Sequence, residues 1–176
     1  MIYQGGIMSY RNKTYVAFAS EDIRYYWLME AWRDNEHIEF DFFNAHDLAQ
    51  ARDTSLPETI RRSLRLRLAN TKQVVLLGSA KGKAKADDGK SFLFYEIETI
   101  CRLNLPVVVA NLDGDRNIDQ SFIPRRFLDE DDYTVSVSFQ PKIIQFALDN
   151  YVPNYANSGK SGSHHYPSDK YASLGL

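Results

Sequence analysis

The 176-residue chain is short of several things, and each shortage narrows what it can be. It has one cysteine, Cys101, so no intrachain disulfide can form, which suits a reducing compartment. Cys101 sits within an apolar stretch, where a small packed hydrophobe is expected. There is no paired cysteine, and His37 and His46 are too isolated for a metal site by spacing. His164 and His165 are adjacent, but in a polar, solvated stretch. A Gly-x-Ser-x-Gly elbow is missing, as is any internal repeat. No apolar run approaches the ~20 residues of a membrane span. The opening residues, MIYQGGIMSYRNK, lack the apolar core of a signal peptide, so the expected location is cytoplasmic, with no membrane partner. Neither charge dominates. A net charge of −2 argues against nucleic acid as the main partner.

What is present is a repeated alternation of short apolar runs and amphipathic stretches. The runs at 15–19, 38–43, 73–78, 107–112 and 133–139 read as five strands. The fifth alternates polar and apolar residues and is expected at an edge. Residues 22–35 place Ile23, Trp27, Leu28, Ala31 and Trp32 at helical spacing, after N-cap and first-turn chemistry at Ser20, Glu21 and Asp22. Pro57 opens a helix with Ile60, Leu64 and Leu68 on one face. Arg61, Arg62, Arg65 and Arg67 lie mostly off that face, where pairing with nearby carboxylates is expected. Residues 79–90 read as a polar loop, and 141–151 as a last helix.

Strand–helix alternation of this kind implies an α/β fold: a mainly parallel, five-stranded sheet with helices on both faces. The expected order is the flavodoxin-like 2-1-3-4-5. The ligand site of such a sheet lies at the carboxyl ends of strands 1 and 3, where the order reverses. Ser20, Asp22 and Ser79 fall at those ends, and the long loop at 44–56, with Asp47, follows strand 2. The expected organisation is an arm over 1–12, a domain over 13–152 and a polar tail over 153–176. The tail has too little apolar content to build structure of its own, though its tyrosines could dock on the body.

The stretch SFLFYEIETICRLNLPVVVANLD, residues 91–113, reads as a helix and then a buried strand. On the helical wheel Phe92, Leu93, Ile97, Ile100 and Leu103 form one apolar arc. Glu96 falls inside that arc and Glu98 roughly opposite, toward solvent. A buried carboxylate on an apolar face needs a partner or a purpose, whereas from the wheel alone the plainer reading is a glutamate at the rim of the stripe with its head in water.

Residues 84–91, AKADDGKS, fit a relaxed phosphate-loop pattern ending in Lys90 and Ser91. Asp87 and Asp88 would stand where backbone N–H groups should surround phosphate, which argues against that chemistry. A nucleotide hydrolase using Lys90 is therefore the weakest of the readings open here.

Three motifs in order resemble TIR domains. YVAFASED resembles their first strand. Phe92-x-x-x-Glu96-Ile97 resembles the helix that carries the catalytic glutamate of TIR-type NAD⁺ glycohydrolases. The loop 44–56 occupies the place of the loop that borders the nucleotide site. The sequence is most similar to the prokaryotic TIR-like group that includes the TIR component of Thoeris antiphage systems, over about residues 13–151. The resemblance departs at Phe92, where the family usually has Trp, and in the loop, which lacks the Gly-Pro pattern of animal TIR domains. It implies an enzyme that takes NAD⁺ as substrate, needs no cofactor, and uses Glu96 as its catalytic carboxylate. Ser20, Asp22, Asp47 and Ser79 are the expected substrate-binding residues. The implied product is an ADP-ribose-derived messenger, cyclic or conjugated, that activates a partner effector. A phage-derived trigger and a homo-oligomer fit the same picture. The alternative is a TIR-like interaction module with no catalysis.

Overall fold

The computed structural model describes residues 14–38, 40, 57–129 and 132–176. Five strands form one sheet: β1 (Thr14–Ala17), β2 (Gln73–Gly78), β3 (Val107–Asn111), β4 (Tyr133–Ser138) and β5 (Gly162–His165). Every pairing is parallel and the order is β1-β2-β3-β4-β5. β2 and β3 are buried along their whole length. Their unbroken QVVLLG and VVVAN runs suit a sheet covered on both faces.

Six α-helices flank the sheet: α1 (Ile23–Asp34), α2 (Pro57–Leu68), α3 (Ala80–Asp87), α4 (Phe92–Arg102), α5 (Pro141–Asn154) and α6 (Ser168–Ser173). Alternate strand residues face opposite layers. Val16, Val75, Val108 and Val135 pack with α1, α5 and α6 through Met29, Ile144, Leu148 and Tyr171. Tyr15, Val74, Leu76, Val107 and Val109 pack with Leu68 of α2, Ala86 of α3 and Leu93, Ile97 and Ile100 of α4. Ile60 and Leu64 of α2 meet Tyr95 of α4 in a third cluster. Helix α4 is thus enclosed by the sheet on one side and by α2 on another.

Several expectations are corrected. The described strands β1, β2, β3 and β4 are the expected strands 1, 3, 4 and 5, and they lie side by side in the expected order, with an unexpected fifth strand, β5, added beyond β4. Of the expected strand at 38–43, only Ile38 and Phe40 are described, and neither is in a strand. Phe40 is buried, edge-on to Trp32. The reversal expected beside strand 1 depends on the stretch 38–43, most of which lies outside the described residues. β4 is interior rather than an edge, because β5 pairs along its far side. Its alternation reflects Val135 and Val137 packing on one face and buried Thr134, Ser136 and Ser138 on the other. The stretch after β2 is not a loop: Ser79 caps α3 by accepting from Gly82 N–H at 2.9 Å. Ser20–Asp22 forms a 3₁₀ turn without a side-chain cap. In α1 the buried residues are Tyr26 and Met29, whereas Trp27 is 56% exposed and Leu28 is also exposed. Leu103, placed on the α4 arc, is exposed at the helix end.

The largest correction concerns the tail. Residues 153–176 supply the end of α5, the strand β5 and the helix α6. Tyr171 is fully buried, and its oxygen accepts the Ser138 N–H at 3.1 Å. α5 lies on the face opposite α4, yet β5 joins the sheet in the same direction that β3 joins β2. The β4–α5–β5 crossover consequently has the opposite hand to β2–α4–β3, although parallel crossovers are nearly all right-handed. Among the described residues no helix is long and apolar enough to cross a membrane.

Candidate active site

Glu96 lies in the middle of α4, which Ser91 opens by accepting the Phe94 N–H at 3.0 Å. The wheel places Glu96 toward the core, and it is 5% exposed. The Tyr15 hydroxyl, carried by β1, donates to Glu96 Oε1. The Arg67 guanidinium, from the last turn of α2, acts electrostatically on both Tyr15 and Glu96. One strand and two helices thus converge on the carboxylate. Burial pushes the Tyr15 hydroxyl well above its ordinary pKa, and the charge of Glu96 adds to the rise. Tyr15 therefore remains a neutral donor. Burial also lowers the pKa of Arg67, opposed by Tyr15 and Glu96. A hydroxyl donor and a nearby cation meet the demand that buried charge be partnered.

Room for this arrangement comes from β1. Beyond Tyr15 the same strand face carries only Ala17 and Ala19, both buried. Among the described residues, the tyrosine is the one long side chain that this face presents to α4.

A second polar group lies at the carboxyl ends of β1 and β2. Ser79 Oγ donates to Asp22 Oδ2 at 2.5 Å. Lys85 Nζ donates to Ser20 Oγ at 3.2 Å and lies 3.1 Å from Glu21 Oε2. Ser79 is thus joined to Asp22, and Ser20 to Lys85, a lysine that the sequence reading did not single out. Asp47 and the loop 44–56 lie outside the described residues, as do His46 and the arm 1–12.

The phosphate-loop pattern is not a phosphate loop. Residues 84–87 belong to α3. Asp88 Oδ1 accepts the N–H groups of Lys90 and Ser91 at 2.7 and 2.8 Å. A carboxylate takes the donors that a phosphate would need, and Lys90 is exposed.

Glu98 is one-third exposed rather than fully solvated, and lies 3.9 Å from Arg61 Nε. Arg61 also pairs with Glu58 at 2.8 Å, as expected for the arginines of this helix. Arg67 does not follow that expectation, because it turns inward to Tyr15. A cleft of ≈ 410 Å³ opens beside Glu98, between Phe94, Ile97, Asp87, Arg125 and Arg126. It contains none of the expected site residues. Among the described residues no cluster of His, Cys, Asp and Glu could hold a metal ion.

The family model described as Thoeris protein ThsB, TIR-like domain, matches residues 15–117, more than half of the chain. The chain belongs to this family. Membership implies a setting in Thoeris antiphage defence. Among individually curated proteins there is no match. The part matched to the ThsB TIR-like domain runs from Tyr15 through β3 to the following turn, and so includes Arg67 and Glu96. It stops short of β4, so the appended β5 and α6 lie outside it.

Proposed function

We propose that this ThsB-family chain cleaves the nicotinamide–ribose bond of NAD⁺ and makes an ADP-ribose-derived messenger, cyclic or conjugated, for a partner effector in antiphage defence. The observation that carries this reading is Glu96: a buried carboxylate held by Tyr15 and Arg67, at the position where the family motif puts the catalytic glutamate.

The chemistry explains why a carboxylate is wanted there. When the C1′–N bond breaks, the bonding pair leaves with nicotinamide, which departs as a neutral base. Positive charge moves to C1′ and the ring oxygen. A carboxylate beside the ribose binds its hydroxyls and stabilises that charge, more strongly in a desolvated site than in water. An acceptor then bonds to C1′ and loses its proton. Water gives ADP-ribose, an internal nucleophile gives a cyclic isomer, and an external one gives a conjugate. Ser20, Asp22, Asp47 and Ser79 are proposed to line the dinucleotide's path. Ser79 and Asp22 also hold the α3 N-terminus against the turn after β1.

The test is nicotinamide release from NAD⁺ by the full-length protein, purified from phage-infected cells. Glu96→Gln should lower it by at least about a hundredfold, as expected for loss of a group that stabilises transition-state charge. Release at the wild-type rate would remove the reading.

One observation favours the second reading, a non-catalytic interaction module. Because Tyr15 and Arg67 satisfy Glu96 inside the fold, a scaffold could keep this glutamate for architecture alone. In that case no nicotinamide appears even from protein of infected cells, and Glu96→Gln lowers stability only.

A further inference from the structure

We infer that Tyr15 is a positioning residue: its hydroxyl fixes the Glu96 carboxylate in the rotamer that faces the ribose. The inference rests on the NAD⁺-cleaving reading above and names how that site is held.

The geometry is specific. A phenol carries a single hydrogen, with lone pairs for acceptance. That hydrogen goes to Glu96 Oε1, which accepts it. A carboxylate cannot donate back, so the direction of the bond is fixed while Glu96 is ionised. The Arg67 cation nearby favours the ionised carboxylate. Neither anchor is loose. Tyr15 belongs to β1, in register with Val74 of β2, and its ring packs among Leu68, Leu93 and Ile97. Arg67 directly precedes Leu68, which is buried in the same cluster. Glu96 itself has several rotatable bonds, and on a helix flanked by two layers it could turn along the α2–α4 seam. Two rigid elements therefore remove the freedom of one flexible side chain, the condition that places a charged group to within a fraction of an ångström.

A plain structural role would need the ring and its packing. A positioning role needs the oxygen. Tyr15→Phe separates these, since it keeps the ring and deletes only the donor. Arg67→Met is the second variant, removing the cation that acts on Tyr15 and Glu96. Both are compared with wild type and Glu96→Gln for nicotinamide release from NAD⁺, using full-length protein purified from phage-infected cells. Urea midpoints are followed in parallel to establish that each variant is folded.

The expected result is a kcat lowered by roughly ten- to a hundredfold in Tyr15→Phe, with KM for NAD⁺ unchanged within about twofold. Arg67→Met should show a smaller fall of the same kind. Tyr15→Phe placed on Glu96→Gln should add no further loss, because the group it positions is gone. Three outcomes overturn the inference. If Glu96→Gln is dead but Tyr15→Phe keeps wild-type kcat, the hydroxyl only fills space and the NAD⁺ reading stands alone. If Tyr15→Phe raises KM and spares kcat, the phenol binds substrate and does not position Glu96. If Glu96→Gln releases nicotinamide normally, the NAD⁺ reading falls, and the positioning role with it.

Discussion

A buried side chain takes its chemistry from its neighbours, and two residues of α4 show this in opposite directions. Glu96 is charged and enclosed, and is held by a phenol and a guanidinium from other elements. Cys101, five positions on along the same helix, has no cation to favour its thiolate strongly; burial pushes its thiol up to about 12. The nucleophile of cysteine chemistry is the thiolate. Cys101 should therefore be nearly silent toward a disulfide reagent at pH 8 in the folded protein, and react at the rate of a free thiol in denaturant. Equal rates in both states would contradict the packed, unactivated thiol described here. At this scale the sequence was informative about Glu96 and silent about its partners. The wheel identifies a carboxylate on the wrong face, but Tyr15 and Arg67 are 81 and 29 positions away in the chain. A weak signal existed in both. Tyr15 is followed by Ala17 and Ala19 on one strand face, and Arg67 borders the apolar stripe of Ile60, Leu64 and Leu68.

Among the elements, β5 and α6 run against their own composition. GSHH has little intrinsic preference for a strand. It pairs because neighbours supply what it lacks: Gly162 N–H donates to Asp132 O at 2.7 Å, and the His164 ring stands edge-on to Tyr133 at 5.0 Å. α6 has only six residues, too short for a stable helix by itself. It is anchored by Tyr171, whose ring is buried and lies 4.4 Å from the Arg116 guanidinium. Replacing a buried aromatic by Ala typically costs ~3–5 kcal/mol. Tyr171→Ala should accordingly lower the urea midpoint of the whole protein, not merely fray its end. An unchanged midpoint would mean that the C-terminal segment is an accessory to the sheet. The same comparison explains why α3 escapes a sequence reading. Its AKGKAKAD run lacks an apolar face, and it is held by the Ser79 cap, the Lys83–Asp87 pair and one buried alanine, Ala86.

For the molecule as a whole, the tyrosines set a limit at high pH. Burial raises the pKa of Tyr15, Tyr151 and Tyr166 above the ordinary 10.0. Above about pH 10 the unfolded chain releases these protons while the folded one keeps them. The unfolded state then binds fewer protons, so stability falls as pH rises, by up to about 1.4 kcal/mol per pH unit for each such tyrosine. Urea denaturation should give nearly constant midpoints between pH 8 and 9 and a steep decline from about pH 10 upward. A flat profile to pH 11 would show that these hydroxyls ionise as freely in the fold as outside it.

Local pattern was enough for much of this protein. Unbroken VVLL and VVVA runs could only be doubly covered parallel strands, and apolar spacing in 57–68 and 92–102 could only be one-sided helices. Those elements, in that order, carried the family likeness and singled out Glu96. Tertiary structure alone decided the rest. The added strand β5, the reversed hand of the last crossover and the ordering of residues 153–176 depend on which edges and faces remain to be covered, and no short window of sequence records that. The same holds for Glu96. Its place on the apolar arc was determined by its own helix, but its character as a held, buried carboxylate comes from a hydroxyl on β1 and a guanidinium on α2, which only folding brings to it.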